Sequence, residues 1–208
     1  MGPAGAGRRA ERKARNRDKL LRAARRVFAE KGVGEATARD IVRETDLATG
    51  TFYNYFRDKE EVFTALLQEF EERTREATLH IRRDASLPFE ERVERGALAF
   101  FELVVEEPEL FSVLRRNVGA TALLPADSLF GAGMAEFGED LEMWSASGEL
   151  PDIDLDYLSA AIAGAAFQVA NRLVDRDPPD PEEAARFCTR MVLGTIHALT
   201  AERGVETA

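Results

Sequence analysis

Residues 37–63 read TARDIVRETDLATGTFYNYFRDKEEVF, and this stretch decides how the rest of the chain is parsed. Thr37-x-x-Asp40 is a capping box, in which each side chain satisfies a backbone N–H left over at a helix start. The helix it opens has Ile41 and Val42 as its apolar face, and Asp46 marks its break. A briefer helix is predicted from about Thr49 to Tyr55, with Phe52, Tyr55 and Phe56 available for packing. Asp58-x-x-Glu61 repeats the capping pattern, and Val62, Phe63, Leu66, Leu67 and Phe70 follow at helical spacing. The middle helix is too short to bury much, which suggests an element held up for presentation. Thr49, Gly50, Thr51, Tyr53 and Asn54 are small or hydrogen-bonding types, suited to base edges and phosphate oxygens in a major groove. Periodicity alone favours an ordinary helical hairpin.

The ordered string TGTFYNYFRDKEE, together with Thr37 and Ile41, resembles the helix-turn-helix signature of the TetR (tetracycline-repressor-like) family of bacterial regulators. With the helix before it the resemblance covers about fifty residues, from near Arg17 to Phe63. It departs at two positions, where Asp46 and Ala48 stand in place of the family's usual turn Gly and capping Ser. Asp tolerates left-handed backbone, but Ala48 has no oxygen to cap with, a loss of about 1 kcal/mol. The resemblance implies a DNA-binding set of Thr37, Arg39, Thr49, Gly50, Thr51, Tyr53, Asn54, Tyr55 and Lys59. Within it, the Arg39 guanidinium is of a type that pairs with guanine O6 and N7. Thr37 and Lys59, at helix N-termini that favour anions, are the expected phosphate anchors.

Charge is divided along the chain. Residues 1–66 hold 15 Lys and Arg against 10 Asp and Glu, whereas the remaining 142 hold 13 against 28, within a net charge of −10. Residues 1–26 hold ten basic and two acidic residues. A basic end on an acidic body fits one end facing a polyanion, although a solvated tail accounts equally for the first fifteen residues. No apolar run reaches the length that spans a bilayer, no apolar segment follows the basic N-terminus as in a secretory signal, and Cys188 has no internal partner. A cytoplasmic protein is expected.

The expected fold class is all-α, with about nine helices. Residues 1–16 form a basic arm expected to be disordered, its Arg8, Arg9, Arg12, Lys13 and Arg15 lying along DNA phosphates, entering a minor groove, or merely solvated. Residues 17–63 form the helix-turn-helix domain, whose first helix runs from about Arg17 to Lys31 and ends at Gly32. Residues 64–204 form a helical effector-binding and dimerisation domain. A long helix from Asp58 to about Arg83 joins the two, and helices are predicted after Pro88, Pro108, Pro125, Asp154 and Pro181. The last two have small faces, Ala161, Gly164 and Ala165 on one, Gly194 and Ala198 on the other, with Phe187 and Met191 adding bulk. Such faces pack within one subunit or between two; the resemblance implies a homodimer.

Phe100, Phe111, Phe130, Phe137, Trp144 and Phe167, with Met134, read as plain core or as the wall of an apolar cavity. The resemblance implies the cavity, with Arg115, Gln168 and Asn171 orienting a hydrophobic or acyl-type small-molecule effector. No enzyme is expected: His80 and His197 are too distant for a ligand pair, and no nucleophile, base and orienter assemble. No cofactor or metal is implied. The resulting expectation is a ligand-responsive regulator, acting as a repressor on a palindrome-like double-stranded DNA operator as a homodimer and released by its effector. The alternative is an effector-binding protein whose DNA module is vestigial or contacts a protein partner, a reading favoured by Asp46, Asp58, Glu60 and Glu61.

Overall fold

The computed structural model describes the backbone of residues 3–121 and 129–206 and the side chains of residues 7–117 and 136–199. Its described residues form nine helices and no strand: α1 (Pro3–Glu35), α2 (Ala38–Arg43), α3 (Thr49–Phe52), α4 (Lys59–Arg82), α5 (Phe89–Glu106), α6 (Pro108–Thr121), α7 (Leu129–Ala146), α8 (Leu155–Leu173) and α9 (Pro181–Glu206). They divide into two compact units, residues 1–70 with 109–123, and residues 71–108 with 124–208. The expected boundary at residue 63 kept α6 with the C-terminal helices, whereas α6 groups with the N-terminal ones.

In the first unit, α1 begins at Pro3 rather than near Arg17, so the segment expected to be a disordered arm is helical. Its Ala, Arg, Lys and Glu residues are strong helix formers, and extending a helix already nucleated by the buried turns after it is far easier than starting one. Leu20, Leu21, Ala24, Val27 and Phe28 are buried as the periodicity predicts. Gly32 interrupts the helix at φ 76°, ψ 160°, a conformation that suits only glycine. Ile41, Val42, Phe52, Phe56, Val62, Leu66 and Phe70 close the core. On α6, Leu110, Phe111 and Leu114 are buried as well, Phe111 against the Phe70 ring at 6.2 Å.

The second unit is built on α5 lying along α9, with α7 and α8 packed beside them. Leu141, Trp144, Leu150, Leu158, Val192 and Ile196 form a core cluster flanked by Phe89 and Phe137. Two arginine sites frame it. The Arg92 guanidinium is buried 5.6 Å from the Trp144 ring and paired with Glu149. Asp140, 1% exposed, takes Arg82 on one oxygen and Arg83 Nε at 2.7 Å on the other, fastening the end of α4 to α7. Cys188 is buried, and burial pushes its thiol up to about 11. No helix among the described residues is long and apolar enough to cross a membrane. Asp140→Ala is expected to destabilise the protein by about 3–5 kcal/mol, because it strands a buried guanidinium; urea unfolding measures this.

Candidate nucleic-acid interface

The helix-turn-helix is set by three local hydrogen-bond systems. At the start of α2, the Asp40 amide donates to Thr37 Oγ1 at 3.2 Å and the Thr37 amide donates to Asp40 Oδ2 at 3.0 Å, completing the expected capping box. Thr37 Oγ1–H also donates to that carboxylate at 2.6 Å, and Lys31 Nζ sits 3.0 Å from its other oxygen. The Thr37 hydroxyl and then the Lys31 ammonium hold the Asp40 carboxyl at about 2. In the turn, Thr45 Oγ1 donates to the Val42 carbonyl at 2.8 Å and accepts the Leu47 amide at 3.2 Å. Asp46 is held by Lys19 at 2.8 and 2.9 Å, which keeps its carboxyl below the usual range. At the start of α4, Asp58 accepts the Glu61 amide at 2.8 Å. Glu61 does not return to the Asp58 amide as the pattern predicted; it takes the Arg57 amide at 2.7 Å, one residue earlier.

Helix α3 is regular only over Thr49–Phe52, shorter than the expected Thr49 to Tyr55. Bonds from the Asn54 and Tyr55 amides to the Thr51 and Phe52 carbonyls, at 3.1 and 2.9 Å, continue it as tight turns. Ala48 supplies no side-chain cap, as expected. Thr49, Gly50, Tyr53 and Asn54 are exposed, Tyr53 at 63%, and Arg39 is exposed on α2. A Cβ on Gly50 would meet nothing within 4 Å, so the fold does not require glycine there. Thr51 and Tyr55 are half-buried, and Tyr55 Oη accepts from Asn16 Nδ2 at 3.2 Å.

Lys59 is engaged within the fold. Its ammonium donates to the carbonyls of Gly34 and Ala36 at 2.8 and 3.0 Å, tying the approach to α2 onto the start of α4. With three donors on an ammonium, one remains. Nothing in the sequence signals this clamp, because its partners are backbone oxygens.

The expected effector residues are divided between the two units. Phe111 and Arg115 belong to the first unit, and Phe111 is packed core there. Trp144 is buried in the core cluster of the second unit, and Phe137 packs against that cluster with its ring at 6.5 Å from Trp144. The side chains of Phe130 and Met134 lie outside the described residues. Phe100 and Phe167 are half-buried and Gln168 is exposed, accepting from Asn171 Nδ2 at 3.5 Å. Three buried side-chain oxygens in this unit have no hydrogen-bond partner among the described residues, Asn171 Oδ1, Glu71 Oε1 and Thr189 Oγ1. Burial pushes the Glu71 carboxyl up to about 7. Sequence reasoning passed over Glu71, although it shares a helical face with Leu67, Thr74 and the buried Thr78.

The residues expected to pair subunits lie on the outward faces of α8 and α9. Ala161, Gly164, Phe187, Met191, Gly194 and Ala198 are exposed, Phe187 at 55%, and Ala165 is half-buried.

Comparison with known proteins agrees with the fold and with its N-terminal module. Residues 20–66 match the family model described as bacterial regulatory proteins, tetR family. The chain is 30% identical over 117 residues to the HTH-type transcriptional repressor AcnR of Corynebacterium efficiens, covering 56% of this chain and 55% of that one. It is 38% identical over 88 residues to the HTH-type transcriptional regulator YhgD of Bacillus subtilis, covering 40% and 43%. The chain thus spans about half the length of the curated relatives it matches. Among solved structures, the fatty acid degradation regulator FadR of Bacillus halodurans superimposes with a TM-score of 0.74 at 23% identity, over 86% of this chain and 94% of that one. A TetR-family regulator from Syntrophomonas wolfei gives 0.74 at 21%, over 88% and 95%.

Two titrations follow from these environments. The stability that Asp40 contributes is present above its ordinary value near 3.8 and lost as pH falls through about 2. Carboxyl NMR should find it titrating near 2, and closer to its ordinary value in Thr37→Ala. Glu71 has the opposite sign: its raised value removes stability as pH climbs from about 4.5 towards 7. Glu71→Gln should therefore raise the melting temperature at pH 8 and leave it nearly unchanged at pH 4.

Proposed function

Since the chain belongs to the TetR family of bacterial regulatory proteins, we propose that it is a ligand-responsive transcriptional repressor that reads a palindrome-like operator as a homodimer. The observation that carries this reading is the presentation of α3. A short helix with a solvent-facing Thr49, Gly50, Tyr53 and Asn54 is held by capping and clamping bonds at its neighbours that leave those residues exposed. Arg39, exposed on α2, supplies a guanidinium suited to a guanine edge. Lys59 places α2 through the Gly34 and Ala36 carbonyls and offers its remaining donor to a phosphate.

Dimerisation through the outward faces of α8 and α9 would bury Phe187 and Met191, and would set two recognition helices about 34–36 Å apart, one DNA turn. The effector is proposed to be a small hydrophobic or acyl-type molecule bound in the second unit, with Phe100 and Phe167 as apolar surface and Asn171 as a polar partner. Helix α4 contains residues of both units. An effector that displaces its second half needs a coupling of only about 1–3 kcal/mol to change operator affinity 5- to 150-fold. Such a regulator acts in the cytoplasm, where the chromosome lies, and no catalytic turnover is proposed for it.

Selection of the protein's preferred sites from a random duplex pool tests the reading. A palindrome with half-site centres one turn apart is the expected product, and no enrichment at moderate salt would overturn it. On the selected site, Tyr53→Ala should weaken binding to every sequence. Arg39→Ala should instead relax preference at one base position, by about 1–3 kcal/mol. A thermal-shift screen of acyl compounds then reports the effector, because a ligand of the folded state raises stability.

A further inference from the structure

Because α1 is helical from Pro3, its cations fall in a fixed array. Arg8, Arg12, Arg15, Lys19, Arg22 and Arg26 follow one another at intervals of four, three, four, three and four residues. At about 100° per residue all six lie within about 40° of one line along the helix. The line faces away from Leu20, Ala24 and Phe28, which are buried. It runs for roughly 27 Å at 1.5 Å per residue, and Glu30 occupies the next position and ends it. Its C-terminal half opens into a shallow depression of about 570 Å³, lined by Lys19, Arg22, Arg26 and Arg43 with Glu44, Thr45 and Asp46.

We propose that this stripe is a second nucleic-acid contact, a track for the phosphate backbone of duplex DNA flanking the bases read by α2 and α3. The proposal rests on the DNA-binding reading above and adds to it a surface and a target. A duplex presents a phosphate about every 3.4 Å along each strand, so the stripe matches the backbone over about eight base pairs. A regular row of cations separated by single helical turns fits a polymer of charge, where one small anion would need convergent donors. The ion pairs of Lys19, Arg22 and Arg26 do not close the stripe. Lys19–Asp46, Arg22–Asp18 and Arg26–Glu44, at 2.8, 2.5 and 3.7 Å, join side chains that are 41–70% exposed, and exposed pairs of this kind exchange readily for a phosphate. Four cations against two carboxylates leave the depression positive. The operator-reading residues do not include the stripe, so its contribution is affinity without sequence preference.

The test compares the selected palindrome as a duplex ending at the half-site edges with the same palindrome carrying about ten further base pairs on each side, enough to reach along the stripe. Full-length protein and the triple variant Arg12→Gln, Arg15→Gln, Arg22→Gln are titrated with both duplexes across salt, with circular dichroism verifying the variant's fold. The unaltered protein should bind the flanked duplex more tightly and with a steeper salt slope. The triple variant should bind the short duplex within about twofold and lose most of the gain from the flanks. Its slope on the flanked duplex should be shallower by about 2–3, which amounts to about a 40-fold smaller loss between 50 and 200 mM salt. Indifference of the unaltered protein to flanks, a triple variant that keeps the gain, or one that weakens equally on both duplexes would overturn the proposal and leave the operator reading intact. A chain that enriches no duplex at all would remove both.

Discussion

The contact on which the presentation of α3 depends is the grip of one lysine ammonium on two backbone carbonyls. Lys59 Nζ holds the Gly34 and Ala36 oxygens, and α2 starts two residues after the second of them. The exit from α1, the entry to α2 and the first turn of α4 thereby become one object. Helix α3 needs that support, since four residues cannot pay for their own nucleation. It is suspended between the Thr45 turn on one side and the Phe52–Phe56 packing on the other, with ring centroids 5.9 Å apart. The Lys19–Asp46 pair and the Asn16–Tyr55 hydrogen bond add struts from α1. Small exposed groups can be offered to solvent here because rigidity comes from neighbours and not from the helix itself.

Much of this was legible from residue types alone. Thr37 and Asp40 meet as a capping box because that chemistry is local, completed within four residues. Helix order, the Pro-marked starts of α5, α6 and α9, and the buried faces of α1 and α4 followed from periodicity for the same reason. Interactions between distant residues left no such trace. The clamp made by Lys59 uses carbonyls that every residue possesses, and Glu61 chose Arg57 over Asp58 through backbone geometry that no side-chain pattern records. The aromatic residues show the same limit from another side. Phe137 and Trp144 satisfy one spacing rule whether they line a cavity or fill a core, and it is the edge-on stacking of Phe89 on Trp144, at 5.4 Å, that identifies them as core.

The two units solve different electrostatic problems. The first keeps Lys19, Arg22 and Arg26 outside, paired with exposed carboxylates, and holds Arg25 half-buried against Glu69. The second brings arginines inward: Arg92 stacks on Phe89 and Trp144 while its guanidinium meets Glu149, and Arg82 lies over Phe137 while it meets Asp140. In each case an aromatic face covers the flat side of the guanidinium and a carboxylate takes its edge, so the charge is desolvated only where both kinds of partner are present. Such sites fix helix register more strictly than aliphatic packing, since a shift of one turn would leave a charge buried alone.

The burial of Cys188 has a consequence for its reactivity. A thiol held near 11 is ionised in only about one molecule in 10⁴ at neutral pH, and the thiolate is the form that oxidants and disulfides attack. The chain's single sulfhydryl is therefore chemically quiet while the fold is intact. Oxidants and disulfides meet little thiolate at Cys188 while its side chain stays buried.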